Sequence, residues 1–273
     1  MEIIKDLEME LGNLDYVDFI SRVNQYNIPP GSLSTVSEWI FFSNINSNSK
    51  VIEIACNTGV VGREISSRTG AKVKGIDVNE EAVKAARKNK KLLSVHNCEY
   101  EVLDFFDLPN TEKFTHATIG ASLGFFKNKV EFTKKLTSIF DDKGYLLASP
   151  YYSSGNMPAH LIEESKQVLG ITPTSSSYKE IMKDFSGLEV VYESRKNIIP
   201  EEDYEMKQYA KDTTDFFFEN NQHLYSKNAY NYIYNRLLQI KEVSNELHKY
   251  QSYSVMVLRY DQRIYPKRLI ELF

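Results

Sequence analysis

Val51-Ile52-Glu53-Ile54-Ala55-Cys56-Asn57-Thr58-Gly59-Val60-Val61-Gly62 changes character twice within twelve residues. Val51–Ile54 is an apolar run of the length of a short buried strand. Ala55 to Gly59 are small residues, and from Val60 the apolar positions take up helical spacing, continuing through Arg63, Glu64 and Ile65. Strand, small-residue turn and helix is how a doubly wound α/β sheet opens its ligand site. Small residues admit a ligand close to the backbone, and a helix N-terminus offers unpaired N–H groups.

The spacing excludes two common ligands of such turns. A phosphate-binding loop needs Gly-Lys-Ser/Thr at the helix start, whereas Gly59 is followed by Val60. A dinucleotide fingerprint needs G-x-G-x-x-G. Here Ala55 and Asn57 hold the first two glycine positions, and Gly62 falls two places late for the third. The stretch is closer to E/D-x-G-x-G-x-G, and it resembles the class I S-adenosylmethionine (SAM)-dependent methyltransferases of the small-molecule type. In that register Glu53 is the acidic residue, Ala55 and Asn57 replace two glycines, Cys56 is a small packing residue between them, and Gly59 is the last glycine. Ala55 costs little provided its backbone keeps a negative φ, while Asn57 belongs to the few residue types that tolerate positive φ.

The rest of the chain follows the order that this resemblance implies. Ala71–Ile76 reads as a second strand ending in Asp77, with Asn79 capping the next helix and Glu80 and Glu81 in its first turn. The resemblance puts Asp77 on the cofactor's ribose hydroxyls, followed by Val78. A third strand over Glu99–Leu103 leads into Asp104 and Phe105, the places of the adenine-binding acid and of a backbone N–H with an apolar side chain. A fourth strand over His116–Ile119 ends at Gly120, where the methionine part of the cofactor and the acceptor would meet. Helix Lys129–Phe140 and strand Tyr145–Ser149 follow. Ser149-Pro150-Tyr151-Tyr152 imitates the N-P-P-Y motif of amino-methyltransferases but stands after the fifth strand, not the fourth, so it reads as a decoy. A helix over Ser176–Phe185, a strand over Leu188–Ile199 and a last strand over Tyr253–Leu258 complete the pattern.

The fold expected is therefore α/β, a doubly wound, seven-stranded, mostly parallel sheet. Residues 1–45 read as an N-terminal helical lid in which Tyr16 is a cofactor contact, with core packing as the alternative for that apolar stripe. Residues 46–199 form the SAM-binding core, 200–250 a helical insertion walling the substrate pocket, and 251–273 the last strand and tail.

Composition narrows the function. With 42% hydrophobic and 26% charged residues the chain is an ordinary globular sequence. Its net charge of −4 argues against a nucleic-acid partner. Two cysteines, no signal-peptide pattern and no apolar run of spanning length point to a reduced, cytoplasmic protein without a membrane role. The reading is a metal-independent methyltransferase acting on N or O of a small-molecule or peptide-like metabolite, by in-line displacement. His160 is the first candidate general base and Tyr152 the second; a surface histidine is the plain alternative for His160. No metal is expected, because Gly120–Ser122 and Ser149–Tyr152 carry no acids where divalent-metal relatives place them. Two other readings stay open: a methyltransferase of RNA or protein, served by the Lys84–Lys91 basic run, and an inactive SAM-binding partner protein.

Overall fold

The computed structural model describes residues 2–266, which divide into two compact units. An α/β unit holds residues 26–153, 176–197 and 252–266; a helical unit holds 2–25, 154–175 and 198–251.

In the α/β unit, α3 (Ser32–Ser43) precedes a β-α-β-α-β run: β1 (Lys50–Ile54), α4 (Val60–Thr69), β2 (Lys72–Asp77), α5 (Glu80–Leu92) and β3 (Cys98–Val102). Then come β4 (Phe114–Gly120), α6 (Lys129–Ser138), β5 (Phe140–Ala148), β6 (Tyr151–Ser153), α8 (Tyr178–Lys183), β7 (Glu189–Asn197) and β8 (Gln251–Asp261). Strands β3, β2, β1, β4 and β5 lie side by side in that order and are parallel. β8 runs antiparallel to β5, β7 runs antiparallel to β8, and β6 also lies against β8.

The sheet thus has eight strands where the sequence predicts seven. The extra one is the three-residue β6, hidden because Pro150 interrupts the run after β5 and lacks the N–H a ladder needs. β5 also starts five residues before the predicted Tyr145, at Phe140. Pleat alternation sends successive residues of each strand to opposite faces. On one face Ile52, Ile54, Ile76, Ala117, Ile119 and Leu146 pack with Phe105, Phe132 and Phe185. On the other, Glu53 points at α4, which brings the acid to the loop it serves.

The helical unit consists of α1 (Glu2–Asn13), α2 (Tyr16–Arg22), α7 (Ala159–Leu169), α9 (Asp203–Glu219) and α10 (Lys227–His248). Its core joins Leu11, Phe19 and Ile20 to Leu161, Phe217, Ile233 and Leu237. Arg236 fastens the α1–α2 turn: its guanidinium donates to the Leu11 and Leu14 carbonyls, both at 2.7 Å, and lies 4.1 Å from the Phe19 ring centroid. Residues 1–45, read from the sequence as one lid, are therefore divided, with α1 and α2 in the helical unit and α3 in the α/β unit.

Candidate cofactor and active site

The turn after β1 has an unusual backbone. Ala55, Asn57 and Gly59 adopt positive φ, at 56°, 46° and 74°. These are the three glycine positions of E-x-G-x-G-x-G, so the turn holds a three-glycine conformation with a single glycine. The condition under which Ala55 would cost little, a negative φ, is not met. Its methyl group carries a left-handed cost of about 1–2 kcal/mol, offset by the bonds around it.

Those bonds come from the neighbouring strands. Cys56 N–H donates to the Ile76 carbonyl at 3.0 Å and Asn57 N–H to Asp77 Oδ2 at 2.8 Å. Asn57 Oδ1 accepts from Thr58 N–H at 2.7 Å, stabilising its own left-handed turn. Tyr100 Oη donates to the Gly59 carbonyl at 2.9 Å, and its ring lies 2.6 Å from where a Cβ on Gly59 would stand. Only glycine satisfies both the φ and the approach. We expect Ala55→Gly to stabilise the protein by about 1 kcal/mol through relief of the left-handed alanine. A urea midpoint raised at constant m would show it; a lowered midpoint would mean that the Ala55 methyl packs productively.

Glu53 is buried under the turn and accepts from Gly62 N–H at 3.0 Å. A Cβ on Gly62 would stand 2.5 Å from Glu53 Oε2, which explains a glycine inside α4. Burial pushes the Glu53 carboxyl up to about 8, although Arg63 and the Gly62 N–H pull the other way. Arg63, itself buried, donates to the Thr58 carbonyl. Arg63 and Tyr100 were not singled out from the sequence; a charged residue at an apolar position of α4 and a tyrosine inside a strand were the only signals. Burial also raises the Cys56 thiol, so it stays protonated and packs rather than reacts.

Asp77 ends β2 with both oxygens engaged: Oδ2 by Asn57 N–H and Oδ1 by Asn79 N–H at 2.9 Å. Each oxygen keeps a second lone pair, enough for one hydroxyl apiece. Burial raises this carboxyl above its ordinary value, against its backbone hydrogen bonds. Just past the adjacent strand, β3, Asp104 is exposed and caps a short turn, accepting from Phe106 N–H at 2.9 Å. Phe105 does not present its side chain there; the ring is buried in the core, 5.1 Å from Phe132. The apolar surface at this edge comes instead from Val78, Val102 and Phe106, all exposed. Gly120 ends β4 at φ 54°, and its carbonyl accepts from Ser149 N–H at 2.9 Å.

Of the remaining predicted residues, two belong to the helical unit and one to the α/β unit. Tyr16 opens α2 in the helical unit, half-buried, its phenol raised by burial. His160 is exposed in the first turn of α7, also in the helical unit. Tyr152 is in β6 of the α/β unit, 5.5 Å from the Tyr178 ring. Burial raises its pKa despite the opposing charge of Arg195, so at neutral pH it is a hydroxyl donor. Among the described residues no group of three or more His, Cys, Asp or Glu could hold a metal, and no helix is long and apolar enough to cross a membrane.

The family model described as a methyltransferase domain matches residues 45–211, and the chain belongs to that family. An uncharacterized RNA methyltransferase of Clostridium acetobutylicum is 39% identical over 70 residues, 26% of this chain and 15% of that protein. The chain spans 11–64% of the length of the curated relatives it matches. Among solved structures, that of the MccD protein superposes with a TM-score of 0.68 at 25% identity, covering 86% of this chain and all of that one. A SAM-dependent methyltransferase from Thiobacillus denitrificans, in complex with S-adenosyl-L-homocysteine (SAH), superposes with a TM-score of 0.63 at 14% identity, covering 88% and 96%. The fold is the Rossmann-like one of class I methyltransferases.

Proposed function

We propose that this protein binds SAM in the cradle formed by the β1 turn, Asp77 and the Asp104 edge, and transfers its methyl group to N or O of a small molecule. The observation that carries this reading is the coincidence of three positive-φ residues with the three glycine positions of the E-x-G-x-G-x-G register, the middle one held by Asp77. Bound there, SAM supplies an activated sulfonium methyl. The protein's part is alignment: Asp77 and Asp104 fix the nucleoside, Gly120 leaves room at the end of β4, and the acceptor is held in line. An amine arriving neutral needs no general base. Tyr152, protonated at neutral pH, suits a donor that orients the acceptor.

The relationship to an RNA methyltransferase raises a second reading. Against it, the basic run of α5 is partly committed inside the protein. Lys84 pairs with Glu80 and Glu81 at 3.1 and 2.8 Å, and Arg87 Nε donates to the Tyr100 carbonyl at 2.9 Å. Incubation with SAM and a panel of amines, phenols and carboxylates, monitored by SAH release, tests the proposal. We expect turnover with a small molecule and none with tRNA or rRNA; turnover with RNA alone would overturn it.

A further inference from the structure

A polar group on the α/β unit is not accounted for by the cofactor cradle. Because β8 is antiparallel to β5 and pairs Met256 with Ala148, its first residues lie beyond the C-terminal end of β5, on the ligand edge of the sheet. β7 ends on the same edge, with Arg195 opposite Ser254 and Asn197 opposite Ser252. Arg195 is exposed, and its Cζ lies over the Tyr178 ring, 4.7 Å from the centroid. Among the described residues no carboxylate lies within ion-pair distance of it. Its neighbour Glu193 is already engaged, accepting from Tyr178 Oη at 2.8 Å and Ser254 Oγ at 2.6 Å. The next base on the strand, Lys196, by contrast is paired with Glu38.

Stacking uses the π-face of a guanidinium and leaves its in-plane N–H fork free for a bidentate oxyanion. The Tyr152 ring packs edge-on against the same Tyr178 ring, 5.5 Å away between centroids. α8 packs against β6, which lies on β8 as β7 does. The Arg195 strand, β7, is reached from β4 through β5 and β8, so at about 4.8 Å per strand its backbone is about 14 Å across the sheet from β4.

We propose that Arg195, stacked on Tyr178 and assisted by Tyr152, binds an anionic oxyacid group, carboxylate or phosphate, carried by the methyl acceptor. This rests on the methyl-transfer reading above. The test is titration of ¹⁵N-labelled protein, with and without SAH, with phenyl phosphate and benzoate, using benzamide as the neutral control. The Arg195 Nε–Hε resonance is assigned by its loss in R195K. A saturable shift of that resonance and of the backbone amides of β7 beside it is expected, absent with benzamide, and R195Q, read from those amides, should weaken the binding by about 30-fold. The tighter of the two ligands identifies phosphate or carboxylate. No saturable shift with either, or equal affinity in R195Q, would overturn the site. SAH titrated into both proteins separates the two claims: equal affinity shows R195Q is folded, and no SAH binding by either sinks the methyl-transfer reading while the anion titration still stands.

Discussion

Asp77→Ala is expected to raise the Kd for SAM and SAH by about 100-fold or more. Two hydrogen bonds from ribose hydroxyls to a carboxylate are lost, and bonds to a charged acceptor contribute about 1.5–3 kcal/mol each. The variant also releases Asn57 N–H, which Asp77 Oδ2 holds at 2.8 Å, and with it one brace of the left-handed turn. Asp77→Asn keeps an acceptor oxygen and should lose less, about tenfold. Calorimetric titration of the three proteins measures both steps. An Asp77→Ala variant that binds SAH within threefold of wild type would remove Asp77 from the cofactor site. Its raised pKa adds a pH signature: SAM affinity falls on the acid side as the carboxylate is protonated.

The second large effect concerns stability without cofactor. Glu53 has its carboxyl pushed from 4.5 up to about 8, with burial as the main cause. The folded protein therefore holds a proton that the unfolded chain releases near its ordinary value. Stabilisation from this group is complete below about pH 4.5 and is lost as pH rises through about 8. The slope is about 1.4 kcal/mol for each pH unit in that window. Glu53→Gln keeps an oxygen for Gly62 N–H but has no proton to lose. Urea unfolding at pH 5, 6, 7 and 8 should show wild-type stability falling relative to Glu53→Gln. Parallel profiles would mean that Arg63 keeps Glu53 ionised across the range.

The parallel half of the fold was legible because its signals are local. Strand lengths, the Asn79 cap and the acids Asp77 and Asp104 each sit within a few residues of the element they end. The turn was legible in register but not in conformation. Spacing identifies Ala55 as a glycine position, yet whether an alanine there is left-handed depends on bonds from Asp77 and Ile76, some 20 residues on. Phe105 shows the same limit, since an aromatic after a strand is equally an adenine wall or a core residue, and only its packing against Phe132 decides. The helical unit was the least legible. It is assembled from three separated segments, and α7 joins it through Leu161 and Leu169, two apolar positions that carry no address in the sequence.

The central claim is that the β1 turn and Asp77 form a SAM site. Titration calorimetry of the wild-type protein with SAM, SAH, NAD and ATP tests it most directly. The account predicts one site per chain for SAM and SAH with Kd in the micromolar range, and no heat from NAD or ATP. A folded protein that binds neither SAM nor SAH, or that prefers NAD, would contradict it.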